Sequence, residues 1–482
     1  MTAQTSPHLS CLVEAGLQDL VLTSADGGYT AREAAYWSRS AALKPACIVR
    51  PKNAKEVSAA LNAIVQGNKN FAVRSGGHAP SVGVSNISEG ITIDLGLINH
   101  IIYDAASETV TIGPGQKWKE VYKELQKFNR TVAGSRDGNV GVGGFLLGGG
   151  YSWITACKGW SCDNVLEYEV VLADGRIVTS SAEKEPELFR ALKGGGNNFG
   201  ICTNFTMSTI PCEQVFGGKA IAPKSSIPDV IRIATNFPET VTKYPNSNIV
   251  IVITYVPERD DIVASGALVQ LQSSSGEPDH GLDEWMALPK VLDTTKMTTI
   301  YDLTFEIMLP HNYHNTWFTG CFKNDERIIA KAVEVHNDVV EQLRELIPER
   351  DFRTQCIIQP VPKMISEHSA AAGGNVMGVE RHATNGFLLL LSAMVKTSEQ
   401  QAMVFPKIKA ALQAVKDYAE VTVDGGNLSW IYMNYADKSQ QVLEGYGPDN
   451  VANLQKVAAK YDPEKVFQTL CPGGWKIPEI GA

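Results

Sequence analysis

Residues 134–151 read Gly134-Ser135-Arg136-Asp137-Gly138-Asn139-Val140-Gly141-Val142-Gly143-Gly144-Phe145-Leu146-Leu147-Gly148-Gly149-Gly150-Tyr151. Glycine at this density costs conformational entropy unless the backbone must pass close to something or take positive φ. The stretch therefore predicts either a ligand-lining backbone or a purely structural glycine turn. It is not a nicotinamide fingerprint. Counting G-x-G-x-x-G from Gly141 and Gly143 puts Leu146 where the last glycine should stand. The chain also lacks the G-x-x-x-x-G-K of phosphate-binding loops.

Two further glycine clusters lie on either side. Arg74-Ser75-Gly76-Gly77-His78 follows the short apolar run at 71–73, and Gly194-Gly195-Gly196 follows a short helical pattern at 187–193. A Gly-Gly turn after a strand presents successive N–H groups, a nest able to hold a pyrophosphate without a lysine. The same residues also fit a tight turn with His78 as a surface side chain. Three separate clusters weaken the purely structural reading.

Near the C-terminus stands Tyr432-Met433-Asn434-Tyr435-Ala436-Asp437. Two tyrosines beside an asparagine suit proton transfer, and equally suit packing on a strand. No metal site is expected, because the nine histidines form neither H-x-x-x-H nor H-E-x-x-H. No G-x-S-x-G elbow occurs, which argues against an α/β-hydrolase.

Outward from these motifs, the first 210 residues alternate helical and strand patterns. Helices are expected over 52–68, capped by Asn53, and over 117–128; strands at 71–73, 91–95 and 110–112; and a hairpin around Ala173-Asp174-Gly175. Beyond about 211 the texture changes to long apolar strands, such as 249–256 and 387–395, between charged helices, of which 327–346 is the clearest. Ser273-Ser274-Ser275-Gly276 is expected to form an exposed loop. The chain divides into 1–213, 214–428 and a returning segment 429–482.

With 482 residues, 44% hydrophobic and 20% charged, the chain is globular and long enough for more than one core. A net charge of −9 argues against nucleic-acid or anionic-membrane partners. The longest uncharged stretch, 138–157, holds seven glycines and is no membrane helix. The nine cysteines are odd in number and form no C-x-x-C, which predicts mostly buried thiols in a reducing compartment, with one or two disulfides the alternative. Residues 1–19 lack a signal-type pattern, which predicts a cytoplasmic protein, with a secreted one the alternative; sequons stand at Asn86, Asn129, Asn204 and Asn427.

Taken in order, these motifs resemble the berberine-bridge-enzyme-like branch of the vanillyl-alcohol-oxidase flavoproteins. The series also includes Pro51 and its helix, Ile93-Asp94-Leu95, Gly113-Pro114-Gly115, Cys162-Asp163-Asn164-Val165, the run from Leu188 to Gly200 and Tyr461-Asp462-Pro463. It covers about 45–212 and 430–470. The resemblance implies an α+β fold: a PCMH-type FAD-binding domain of two α+β subdomains (1–213, completed by 429–482) and a substrate-binding domain, 214–428, with an antiparallel sheet backed by helices. It implies FAD held by Arg74, Ser75, Gly76, Gly77, His78, Ser81, Ser135, Gly138, Val140, Gly143, Gly144, Gly148, Tyr151, Asn164, Val165, Gly200, Ile201 and Asn434.

In that family the histidine of the RSGGH stretch is bonded to the flavin 8α-methyl group, which maps onto His78. Many members add a link through a cysteine of a G-x-C-x-x-V-G-x-G-G-H stretch. Aligned on residues 140–144, this chain has Asp137 at the cysteine and Phe145 at the histidine, while Cys157 and Cys162 lie too far along. A single covalent link is expected. The family often uses as its base a tyrosine on the strand before N-Y-x-D, which maps onto Tyr432, with Tyr435 in reserve. A phenol with its ordinary pKa of about 10 needs a nearby cation to serve, and the local sequence names none. Valine just before G-x-G-G, here Val140, implies open access for O2. The expected activity is oxidation of a small molecule (an alcohol, a sugar or a biosynthetic intermediate) with O2 as acceptor; the alternatives are a non-redox cyclase or isomerase of secondary metabolism and a non-catalytic FAD scaffold.

Overall fold

The computed structural model describes residues 7–272, 279–382 and 384–479. The loop expected at Ser273–Gly276 lies outside them.

Residues up to about 211 form two small sheets and a two-stranded ribbon of Arg130–Thr131 with Ile210–Pro211. The first has strand order Val21–Leu22, Cys47–Val49, Ile91–Asp94, Phe71–Arg74, with the last three parallel. The helix Ala54–Gln66 covers it, begun by Asn53, whose side chain accepts the N–H of Glu56. Its Val57, Leu61 and Ile64 are buried on one face. The second sheet is antiparallel, in the order Ile101–Asp104, Thr109–Ile112, Ile201–Ser208, Val165–Val171, Ile177–Ser181, and contains the expected hairpin. The helix expected over 117–128 runs from Trp118 to Leu125 and ends in a tighter turn, Gln126–Phe128, where Asn129 takes a left-handed conformation.

From Val215 the chain builds a nine-stranded antiparallel sheet that closes with Asn427–Leu428. Strand Ser247–Val256 shows its logic. Ile249, Ile251, Ile253 and Tyr255 pack against the helices Ile227–Lys243, Glu326–Leu346 and Ser398–Thr422. The alternate residues Val250 and Val252 face the first unit. A period of two thus sends one face of each strand to the helices and the other to the region of the glycine clusters.

The final segment returns to the first unit. Trp430 stacks near Trp160, the Tyr446 hydroxyl donates to the Gly194 carbonyl at 3.0 Å, and Arg190 donates to Asn450 at 2.8 Å. The Phe71 N–H donates to the Leu470 carbonyl at 2.7 Å, and the Phe71 and Phe467 rings meet edge to face. Tyr432 was expected on a strand and is not. Ladder pairing stops at Leu428 after two residues, because the chain then turns inward to bury Trp430 and Tyr432. Tyr432 sits in extended backbone just before a short turn, Met433–Tyr435.

All nine cysteines are free thiols, six of them buried. Asn86 is buried, with its amide bonded to Glu33 and the Ala41 carbonyl, so the folded chain offers no glycan access there. No helix among the described residues is long and apolar enough to cross a membrane.

Candidate active site

A cavity of about 750 Å³ opens between the glycine clusters and the apolar sheet face. Its floor is made by a close crossing of two backbones. A Cβ on Gly76 would lie 2.5 Å from the Gly141 Cα, and one on Gly141 would lie 2.4 Å from the Gly76 nitrogen. Only glycine permits that crossing, and Gly77, at φ +67°, then turns the chain toward the cavity. The Ser75 hydroxyl donates to the Pro114 carbonyl and accepts the Gly143 N–H at 3.2 Å, which locks the two loops together. A Cβ on Gly144 would meet nothing within 4 Å; this residue leaves open space.

His78 stacks on Trp37, with ring centroids 4.6 Å apart and planes 6° from parallel. Its Nε2 is buried without a hydrogen-bond partner and lies 3.8 Å from Asp137 Oδ2. Burial pushes its pKa down to about 4 against the opposing pull of Asp137, so the ring is neutral at ordinary pH. Asp137 is itself held, accepting the Asn139 N–H at 2.8 Å and the Leu309 N–H at 3.1 Å. A neutral imidazole with an orphaned nitrogen, beside a glycine-walled cavity, fits a flavin ring.

The other predicted residues divide in two. Ser75, Gly76, Gly77, His78, Ser81, Ser135 and Val140 line the cavity. So do Gly143, Gly144, Tyr151, Gly200, Ile201, Asn434, Tyr432 and Tyr435. Five others lie outside its walls. Arg74 folds back under Tyr36, 3.7 Å from the ring centre, and donates to the Arg32 carbonyl at 2.6 Å. Gly138 faces Thr304 and Lys119, and Gly148 faces the Asn434 side chain. Asn164 spends its amide on the carbonyls of Lys158 and Trp160, and Val165 is core. These five hold the loops whose neighbours line the cavity. Asn434, expected to bond the flavin ring, gives its amide hydrogens to the Phe145 carbonyl (3.0 Å) and the Tyr432 oxygen (3.2 Å).

The two tyrosines differ in setting. The Tyr432 oxygen accepts the Tyr151 N–H at 2.8 Å as well as the Asn434 amide. The ring is buried among Trp160, Trp430 and Tyr435, and this burial drives its pKa upward. Tyr435 is only partly buried, meets Trp317 edge to face at 5.4 Å, and accepts a 2.9 Å bond from Arg136 Nη2. Arg136 is the cation that sequence reading missed. Its signal was its place, with Asp137, as the last charged pair before 138–157. The cavity's far wall is a face of the sheet expected on the substrate side, but its residues were not named: Val250, Val252 and Thr254 on one strand, with Gln355 and Ile357 on its neighbour. Among the described residues, no group of metal-ligating side chains occurs.

The chain is similar to known families and proteins. Residues 45–181 match the family "FAD binding domain", and 431–469 match "Berberine and berberine like". The chain is 33% identical over 474 residues to FAD-dependent monooxygenase drtC of Aspergillus calidoustus, covering 97% of this chain and 90% of that one. It is 35% identical to FAD-dependent monooxygenase sdcF of Emericella nidulans, over 93% and 94% of the two chains. In three dimensions it resembles glucooligosaccharide oxidase of Acremonium strictum, with a TM-score of 0.74 at 18% identity over 98% of each. Similarity at this level and length makes the chain a member of the berberine-bridge-enzyme-like family of FAD-dependent oxidoreductases.

Proposed function

We propose that this oxidoreductase is an oxidase of a small, largely apolar molecule, with FAD tethered at His78 and Tyr435 as the base. Residues 1–213 and 429–482 hold the cofactor, and 214–428 receive the substrate. The observation that carries the reading is the Arg136–Tyr435 bond inside the cavity that His78 also lines. Bound FAD supplies a hydride acceptor and passes the two electrons to O2, giving H2O2.

The chain's residues hold the substrate and move the proton. A guanidinium 2.9 Å from the phenol oxygen stabilises negative charge there, which a base needs as it takes a substrate proton. Tyr432 has no such cation and is buried by aromatic rings, so the assignment moves from Tyr432 to Tyr435. Trp317, edge-on to Tyr435, fixes that ring's angle. The valine-rich sheet face excludes water from the reacting carbon. Neutral His78, held by stacking on Trp37, would carry the bond to the flavin 8α carbon, as a histidine does in the Acremonium oxidase. That oxidase also carries a cysteinyl link, whereas this chain has Asp137 where the resemblance expects the cysteine.

The curated relatives' names favour a second reading, insertion of one oxygen atom from O2. Both are tested by mixing the yellow protein anaerobically with apolar alcohols and pathway intermediates, then admitting 18O-labelled O2. An oxidase bleaches without air, releases one H2O2 per product and leaves no label in it. Label in the product makes it a monooxygenase, and conversion without bleaching makes it a cyclase or isomerase.

A further inference from the structure

We propose that Arg136 also recognises the substrate: the molecule that enters this cavity is apolar with one anionic oxygen group, a carboxylate or an ionised enol, which pairs with the guanidinium. The inference rests on the reading of the cavity as a joint flavin and substrate site.

Arg136 is 7% exposed. One terminal nitrogen, Nη2, bonds Tyr435; the other, Nη1, is buried with no acceptor. Its flat faces are covered by the rings of Tyr151, 4.6 Å away, and Trp153, 5.9 Å away. The Trp153 Nε1–H is buried without an acceptor too. An orphaned guanidinium donor on the cavity wall calls for an acceptor that the protein does not provide.

No carboxylate among the described residues pairs with Arg136, although partners are found elsewhere. Arg32 has Asp94, Arg130 has Glu108, and Arg353, also on the cavity wall, has Glu258. The adjacent Asp137 is turned away, toward His78 and the N–H groups of Asn139 and Leu309. A buried guanidinium without a counter-ion is expensive, and a phenol and two aromatic faces return only part of its lost hydration. An arriving anion completes the pair, and planar bidentate geometry suits carboxylate and enolate oxygens.

The rest of the wall limits what else the ligand carries. Its far side is mainly apolar, with Val250, Val252, Ile357 and Met394, and carries polar groups at Lys219, Thr254, Ser265 and Gln355. Arg136, buried and without a carboxylate, is the cation beside Tyr435, while Lys219, also on the wall, stands on the far sheet.

The holoenzyme is titrated with 2-naphthoate and, separately, with its neutral isostere 2-naphthamide, read by the shift in flavin absorbance. The acid should bind at least about 10-fold more tightly than the amide, one full charge-assisted pair being worth that much. Arg136→Gln should abolish the preference and Arg136→Lys restore part of it. Tyr435→Phe, which keeps the guanidinium, should retain it. Flavin content and melting temperature establish that each variant is folded. Equal binding of acid and amide to the unaltered protein, or an undiminished preference in Arg136→Gln, overturns the proposal. The readout needs flavin only as a reporter. It therefore stands if the enzyme proves a monooxygenase or cyclase, whereas colourless protein would sink the shared reading of the cavity.

Discussion

A phenol becomes a base through its neighbours, and for Tyr435, the proposed base, the cation beside its oxygen stands 299 positions away in the chain. Tyr435→Phe keeps ring and packing, removes one oxygen, and should slow anaerobic flavin reduction about 100-fold or more with flavin retained. Tyr432→Phe should cost much less in that rate, because its hydroxyl supports the Tyr151 N–H; stopped-flow traces of the two variants that reverse this order would return the role to Tyr432. At His78 the expected chemistry is one bond and only one. Acid precipitate should stay yellow, digestion should give a single flavin-bearing peptide containing His78, and His78→Ala should release all colour on denaturation; a cysteine found on the flavin would contradict the reading of Asp137. These residues also show where sequence reading stops. His78 and the tyrosines could be singled out because their motifs are local. Arg136 could not, because its function is a distance to another part of the chain. Arg74 sits in the same five-residue motif as His78, yet local order alone does not tell which way a side chain folds.

At the level of elements, the glycine loops were the most legible part of the molecule, because glycine is placed where backbone contact excludes every other residue. Gly141 and Gly144 test the two uses of that rule. Gly141→Ala drives a methyl into the backbone of Gly76 and should destabilise the protein by about 1–3 kcal/mol or more in urea unfolding. Gly144→Ala meets open space within the helix Val142–Leu147, so stability should hold or rise by up to about 1 kcal/mol while flavin content falls; full flavin loading in that variant would mean the glycine is not kept for close approach. Val140, on the same loop, lines the cavity. If it sets the opening for O2, Val140→Leu should slow reoxidation of photoreduced enzyme by about tenfold or more, one extra methylene being enough to fill a gap of that size. The sheet was legible as strands and, through the resemblance, as the substrate side, but which of its residues would line it was not. The alternation at 249–256 predicts two faces, and nothing local says which one meets helices and which a ligand.

For the whole molecule, acid is the condition that tests the core. His336 is buried on the helix Glu326–Leu346, its Nε2 within 2.9 Å of the Thr354 hydroxyl, and burial pushes its pKa down to about 4. The unfolded value is about 6.5, so between those limits the unfolded chain binds the extra proton. Its contribution is complete above pH 6.5 and lost as pH falls toward 4, with a slope of at most about 1.4 kcal/mol per unit. Urea titrations from pH 7 to 4 should show stability falling with acid, and His336→Gln should flatten that slope; identical slopes in the two proteins would mean the ring is protonated in the fold. The return of residues 429–479 to the first unit has a consequence for how the molecule comes into being. A ribosome releases the cofactor half in two instalments, separated by the entire sheet that begins at Val215 and closes with Leu428. The sheet can mature while the chain is still being made. The cavity beside His78 cannot, since Tyr432, Asn434 and Phe467, which line it, are translated after the sheet. If this cavity holds the flavin, its capture waits until the segment that follows the sheet has been made.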